Sequence, residues 1–327
     1  TRSDRVTLRF PLLNLRWCAL LLALTTAGCA TRGPVPPVAP AQSAAEISRT
    51  PFFPQDAYQC GPAALATLLG ASGVEVAPEA LVSEVYIPAR KGSLQAEMLG
   101  AARKRGRVPV QLPTGPGAFE ALAEALRADQ PVLVMQNIGL KMLPAWHYAV
   151  VVGVDTSSQN VTLRSGTEPR LRTPFKAFAK SWAASDTWGV TLHPPDAPPP
   201  WAALEDWMQT VAVWSRTAPA AAAVAAEAAT RRWPDHPAPW LAAGNARYAD
   251  EDVAGAVQAF RHAQALRPSV GGAHNLAIIL ASNGCFDAAD DALQAVDAAQ
   301  ARHPAMLSAR DRVRSLSTQV AARDCPF

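Results

Sequence analysis

The chain has 327 residues, 49% of them hydrophobic, and a net charge of +3, so it can bury a core and divide into two domains. So small a charge, with no long basic cluster interleaved with aromatics, argues against nucleic acid as a partner. The cysteines form no CxxC pair and no His/Cys cluster at metal-ligand spacing, so neither a metal nor another cofactor is expected.

Arg2, Arg5, Arg9 and Arg16 precede an apolar run from Trp17 to Ala27. That run is too short to span a bilayer comfortably and has the shape of a secretory signal. It closes on Thr26-Ala27-Gly28-Cys29, which resembles the bacterial lipobox. The resemblance implies that Cys29 becomes the lipidated first residue of the mature protein, with Thr26 standing where Leu is more usual. A conventional signal cleaved nearby, without lipid, is the alternative. Ala30 after the cysteine is not Asp, which by similarity to Gram-negative lipoproteins favours the outer membrane and a periplasm-facing chain. Residues 1–29 are read as this signal, and the Pro- and Ala-rich residues 30–45 as an extended tether. Cys18 and Cys29 belong to the leader, which leaves Cys60, Cys285 and Cys325 in the body. An oxidising compartment permits a disulfide between Cys285 and Cys325 with Cys60 unpaired, and two separate buried thiols are equally compatible.

A first domain is expected over residues 46–193. Gln55 to Leu65 reads as a polar loop that delivers Cys60 onto the first turn of a helix, with Pro62 suited to the first helical position. The helix dipole and unpaired N–H groups there favour thiolate over thiol. Helices follow at Pro78 to Val85 and at Ser93 to Arg105, the latter with Ser93 as candidate N-cap. A short strand is predicted at Pro109 to Leu112 and a helix at Phe119 to Ala128. The period then changes. Val132 to Met135 and His147 to Val154 are continuous apolar runs, Asp155 to Asn160 is a turn cluster, and Val161 to Arg164 is the next strand. Helices followed by an antiparallel sheet make an α+β pattern that sets the Cys60 helix against a histidine at the sheet edge.

A cysteine nucleophile needs an imidazole to take its proton and return it to the leaving amine. His147 is the only histidine of this domain apart from His193, where the strands end. Gln55-x4-Cys60-Gly61-Pro62-Ala63, followed by His147-Tyr148-Ala149-Val150-Val151, resembles the papain-like cysteine peptidases related to the bacteriocin-processing, double-glycine leader peptidases. The likeness spans about 150 residues. It implies Cys60 as nucleophile, His147 as general base and acid, and Gln55 as the side-chain donor of an oxyanion hole beside the Cys60 N–H, with Gln59 a competing donor. The family commonly orients its histidine with an Asp on the following strand, where this chain reads Leu163-Arg164-Ser165-Gly166. Asp155 would lie roughly 25 Å away, at the far end of the histidine strand. Ser165 or a backbone carbonyl is the remaining orienter, and catalytic vigour is the property this departure touches. The chain has no Gly-x4-Gly-Lys-Ser/Thr loop, so the transporter function of fused members is not implied.

Pro194 to Pro200 reads as a linker, and residues 201–322 as an all-α repeat domain. From Pro237, the positions of Trp240, Ala243, Gly244, Ala256, Phe260, Ala263 and Pro268 follow a tetratricopeptide pattern, with Tyr248 one place off the usual aromatic. Small residues let paired helices approach, while Trp240 and Phe260 fill the groove between them. A degenerate unit ends near Pro234, and a third begins around Asn275, so three units form a minimal stack.

The expected fold class is therefore an α+β papain-like cysteine peptidase domain followed by an all-α tetratricopeptide-type repeat domain. The function expected is a lipid-anchored envelope peptidase that cleaves a peptide or protein substrate, with a protein partner or substrate recruited by the repeats. The same groups would serve an amidase or an acyl transferase. The alternative is a peptidase-like scaffold, weak or inactive, that binds proteins in the cell envelope.

Overall fold

The computed structural model describes residues 37–55 and 59–327. The expected signal, Cys29 and residues 30–36 lie outside the described residues, as do Asp56, Ala57 and Tyr58. The apolar runs of the first half form a six-stranded antiparallel sheet. Its strands are β3 (Val108–Gln111), β4 (Val132–Asn137), β5 (Trp146–Asp155), β6 (Asn160–Ser165), β7 (Glu168–Pro174) and β8 (Gly189–His193), in the order β3-β8-β4-β5-β6-β7. A separate two-stranded ribbon pairs β1 (Tyr86–Ile87) with β2 (Gly92–Ser93).

The run on β5 is apolar without alternation because both faces of the sheet are covered. Tyr148, Val150 and Val152 pack with Leu65, Leu68 and Leu69 of α1 (Cys60–Ala71), with α2 (Glu79–Val85) and with α3 (Gln95–Lys104). Ala149 and Val151 point the other way. They meet Phe119 and Leu122 of α4 (Ala118–Arg127) and Phe178 and Trp182 of α5 (Phe175–Ala183). Period-two backbone geometry thus splits one sequence run between two cores, and each fully buried large side chain contributes roughly 1.5–3 kcal/mol of apolar transfer. The β5 strand lies between β4 and β6, so His147 stands at a strand end inside the sheet and not on an edge strand.

Two helix boundaries differ from expectation. Helix α1 begins at Cys60 itself, which makes Pro62 its third residue. Ser93 is not an N-cap: it pairs with Tyr86 in the ribbon, Leu94 precedes α3, and that helix start has no side-chain cap. The pairing with β1 claims the Ser93 backbone before the helix can begin. Upstream, Val38 N–H donates to the Pro116 carbonyl and Ala44 exchanges both backbone bonds with Val154, so this part of the stretch read as a tether is bonded along the domain.

Beyond the Pro-rich segment come α6 (Leu204–Thr217), α7 (Pro219–Arg232), α8 (Pro237–Ala249), α9 (Val253–Leu266), α10 (Val270–Ser282), α11 (Phe286–Gln294) and α12 (Pro304–Ser317). Helix α6 packs on the sheet: Trp207, Val211 and Trp214 share a core with Val108 and Val110 of β3. Trp214 Nε1–H donates to the Arg103 carbonyl at 3.0 Å, and Arg103 Nε–H to Thr210 Oγ1 at 3.0 Å. Phe260 is fully buried between helices, as expected. Trp240 is not in the groove: it stays partly exposed, stacks on His262 at 4.2 Å and donates to the Pro234 carbonyl. Tyr248 is exposed too. Cys285 and Cys325 are joined by a disulfide, and Cys60 is free. Among the described residues no helix is long and apolar enough to cross a membrane, and no His/Cys/Asp/Glu cluster could hold a metal ion.

Candidate active site

Cys60, His147 and Gln55 line one cleft of about 610 Å³. Each arrives from a different element. Cys60 opens α1, which leans on one face of the sheet through Leu65, Leu68 and Leu69. His147 is the second residue of β5, paired with Gln136 of β4. Gln55 lies in the loop before α1, and its N–H donates to the Gly166 carbonyl at 3.0 Å. That bond ties the loop to the β6–β7 hairpin, where Ser165 pairs with Glu168 across two residues. Gly166 takes the first loop position at φ +60, a left-handed conformation that glycine adopts without steric penalty. Gln59 precedes α1 without a side-chain cap bond and is not among the residues that line the cleft.

His147 Nε2 lies 2.8 Å from Ser165 Oγ. Alternation puts both on the face that carries Ala149, Val151 and Leu163, so a diagonal cross-strand neighbour holds the imidazole. Asp155 is engaged elsewhere: it accepts from Ser157 and Ser158 in the β5–β6 turn and pairs with Arg172. Those bonds hold its carboxyl below the usual carboxylate range. Ser165 thus occupies the place beside the imidazole for which the sequence offered no Asp.

The electrostatics reverse one expectation. Burial pushes the Cys60 thiol up, and the backbone N–H groups of Tyr148, Gly61 and Cys60 itself pull it down by less. The helix N-terminus was expected to favour thiolate, but apolar packing against α1 outweighs it. Burial also lowers the His147 imidazole. Burial thus disfavours the charged form of both groups, and among the described residues no hydrogen bond links them.

Several lining residues carry no motif and were not anticipated. Arg90 and Lys91 form one wall from the β1–β2 turn. Pro144, Ala145 and Trp146 form another. Trp146 opens β5, while Pro144 and Ala145 belong to the β4–β5 loop, locked because Asn137 Oδ1 accepts the N–H groups of both Gly139 and Ala145 at 2.9 Å. This loop exposes Ile138, Leu140, Leu143 and Met142, the last at 91%. Their run of apolar residues was the available signal, but nothing in it separates an exposed loop from a strand end.

Gly61 sets how closely the walls approach. A Cβ there would fall 2.1 Å from Ser93 Oγ and 2.6 Å from Ser93 Cβ. Tyr148 Oη–H donates to the Ser93 carbonyl at 3.3 Å, so β2 touches both α1 and β5 beside the cleft.

Residues 47–189 match the model of the Peptidase_C39 like family. No curated protein matches the chain. Among solved structures, one from Bacillus anthracis described as a C39-like peptidase is 18% identical, covering 46% of this chain and 98% of that one, with a TM-score of 0.38. The peptidase domain of Streptococcus ComA, a bifunctional ABC transporter, is 20% identical over 45% of this chain and 99% of its own, with a TM-score of 0.36. A double-glycine-motif protease from an AMS/PCAT transporter, solved with its leader peptide, is 20% identical over 49% of this chain and 99% of its own, with a TM-score of 0.34. The N-terminal half of this chain is thus a domain similar to the C39 cysteine peptidases, and a helical region follows it.

Proposed function

We propose that the chain is a papain-like cysteine peptidase that cleaves a peptide or protein substrate through Cys60 and His147. The observation that carries this reading is the convergence of Cys60, His147 and Gln55 on one cleft, with His147 Nε2 engaged by Ser165. Engagement of Nε2 leaves Nδ1 as the nitrogen for the Cys60 proton. Transfer of that proton generates the thiolate, which attacks the peptide carbonyl. The oxyanion is held by the Gln55 side chain and the Cys60 N–H. His147 then protonates the leaving amine, and water hydrolyses the thioester.

Peptide turnover by the full chain tests this directly. Cys60→Ala and His147→Ala are each expected to lower it at least about a thousandfold, and undiminished turnover in Cys60→Ala would sink the reading. Because burial raises the thiol and lowers the imidazole, iodoacetamide labelling of resting Cys60 should be slow at neutral pH. It should accelerate only above the ordinary thiol range of about 8.5. A second reading, a weak or inactive scaffold, is favoured by that raised thiol and by a serine where a carboxylate would hold the imidazole more strongly; it predicts the same labelling with no turnover.

The helical region is proposed to recruit a protein partner or substrate as a tetratricopeptide-type stack. In support, α6, α7 and α8 enclose an apolar groove of about 450 Å³ that includes Val211, Ala222, Leu241 and Ala246. Lipid anchoring at Cys29, and residence in the periplasm at the outer membrane, rest on the lipobox resemblance. The Cys285–Cys325 disulfide is compatible with an oxidising compartment.

A further inference from the structure

The β4–β5 loop turns its apolar side chains outward. Residues 138–146 carry no Asp or Glu and one charge, Lys141. Leu140, Met142 and Leu143 are 75%, 91% and 76% exposed, and Ile138 and Trp146 are exposed beside them. None of these five belongs to a core cluster among the described residues. The loop is nonetheless closed. The Ile138 N–H donates to the Ala145 carbonyl at 2.9 Å and the Leu143 N–H to the Leu140 carbonyl at 3.1 Å, while Asn137 Oδ1 takes the Gly139 and Ala145 N–H groups. A Cβ on Gly139 would fall 2.6 Å from the Leu143 carbonyl oxygen, so the closure needs glycine there. Side chains this exposed stand on a protruding turn, which has no walls to enclose a ligand. A lipid interface asks for such a turn: apolar side chains outside, and backbone donors satisfied within the loop. The Trp146 indole suits the headgroup level, and Lys141 suits anionic headgroups.

The course of the chain is a second, independent observation. The Val38 N–H donates to the Pro116 carbonyl, the Gly115 N–H to Thr187 Oγ1 at 3.1 Å, and the Met135 N–H to the Trp188 carbonyl, two residues before β4 ends at Asn137. Hydrogen bonds thus tie Val38 to the end of the sheet from which the loop leaves. Cys29 lies eight residues before Pro37, which is at most roughly 30 Å of extended chain. A lipid on Cys29 would hold that end of the sheet within this reach of a bilayer.

We infer that the β4–β5 loop is a membrane-contact surface, and that Ile138, Leu140, Met142, Leu143 and Trp146 enter the headgroup–acyl boundary of a phospholipid bilayer. The cleft walled by Pro144, Ala145 and Trp146 then opens at the lipid surface. Only the tether rests on the lipobox reading, and Cys29 is absent from the test, so the two fail separately. A bimane fluorophore is attached at Met142→Cys in the full chain carrying Cys18→Ser, Cys29→Ser and Cys60→Ala. Arg261→Cys, exposed on α9, is the control position in the same background. Both chains keep the same apolar leader, and only the site of the probe differs. With phosphatidylethanolamine/phosphatidylglycerol vesicles, the probe at 142 is expected to shift to the blue and to be quenched by lipids spin-labelled near the headgroup, and the probe at 261 to do neither. Adding Leu140→Asp/Leu143→Asp should raise the lipid concentration for half of the shift at least about tenfold. The unfolding midpoint should stay unchanged, because both side chains are exposed.

A probe at 142 that vesicles leave unmoved overturns the inference, as does an equal response at both positions, which is adsorption through the leader. A blue shift at 142 that appears without vesicles as the protein is concentrated overturns it in favour of a second copy. A shift produced by a soluble peptide of alternating Leu and Ser, and not by vesicles, overturns it in favour of a substrate surface. These chains lack Cys60, so loss of the peptidase reading leaves a vesicle response standing. Turnover by the chain with Cys60 intact, together with a loop that ignores vesicles, does the reverse.

Discussion

The helices around the sheet and those of the C-terminal region begin differently. None of α1 to α5 has a side-chain cap. In the helical region α6, α7 and α11 also lack one, but His236, Asp252, Ser269 and His303 each accept a backbone N–H from the first turn of α8, α9, α10 and α12. The sheet-packed helices are held by burial against flat apolar faces and need no local stop signal. The capped helices of the C-terminal region are 13 or 14 residues long, and their caps satisfy N–H donors of the first turn. At α1 the difference is of use to the site, because the N–H groups of Cys60 and Gly61 face the sulfur and not a capping oxygen.

If burial against neighbours dominates everywhere, a core truncation in the stack should cost far more than the loss of a cap. Phe260→Ala removes a fully buried ring from the α8–α10 core and is expected to cost about 3–5 kcal/mol in urea unfolding. Peptide turnover should persist in the fraction that stays folded.

A second test lies where the two regions meet. His193 is buried beside Trp201 and bonded to Thr191, and burial lowers its imidazole to about 4. The unfolded chain therefore takes up a proton that the folded chain refuses. This group contributes nothing above its ordinary pKa of about 6.5, and stability falls as pH drops from there through about 4. The loss approaches about 3 kcal/mol. Comparing unfolding at pH 7.5 and 4.5 for wild type and His193→Gln checks this: the variant should lose less on acidification.

Gly61→Ala probes the walls of the cleft. The clash with Ser93 should cost about 1–3 kcal/mol and lower turnover beyond what the stability loss explains, because β2 must move away from α1. Wild-type turnover at a lowered midpoint would show that the ribbon position does not matter to chemistry. The smallest effect is expected at a cap: Asp252→Ala, which leaves the Gly255 N–H without its 2.9 Å acceptor, should cost about 1 kcal/mol. A loss as large as that of Phe260→Ala would reverse the contrast between the regions.

Legibility followed the same division. The runs at Val132 and His147, the turn at Asp155 to Asn160 and the α9 cap at Asp252 are local patterns, and each could be seen or recovered from residues a few places apart. The groups that surround Cys60 could not. Ser165 reaches His147 through the register of β5 on β6, and Ser93 reaches Gly61 only once a two-residue ribbon has formed. Trp240 looked like groove filling, but it stays partly exposed and stacks on His262 of α9.

By itself, the sequence determined which residue types the first domain could bring to a cleft: one cysteine at a helix start, one histidine at a strand start, and a glutamine in the loop before that helix. Periodicity and turn chemistry act over a few residues, so they survive without any knowledge of the fold. Only the tertiary structure decided how burial acts on that pair, which serine meets the imidazole and that the β1–β2 turn joins the cleft lining. Desolvation and cross-strand contact depend on what the rest of the chain packs against a group, and no window of sequence contains that.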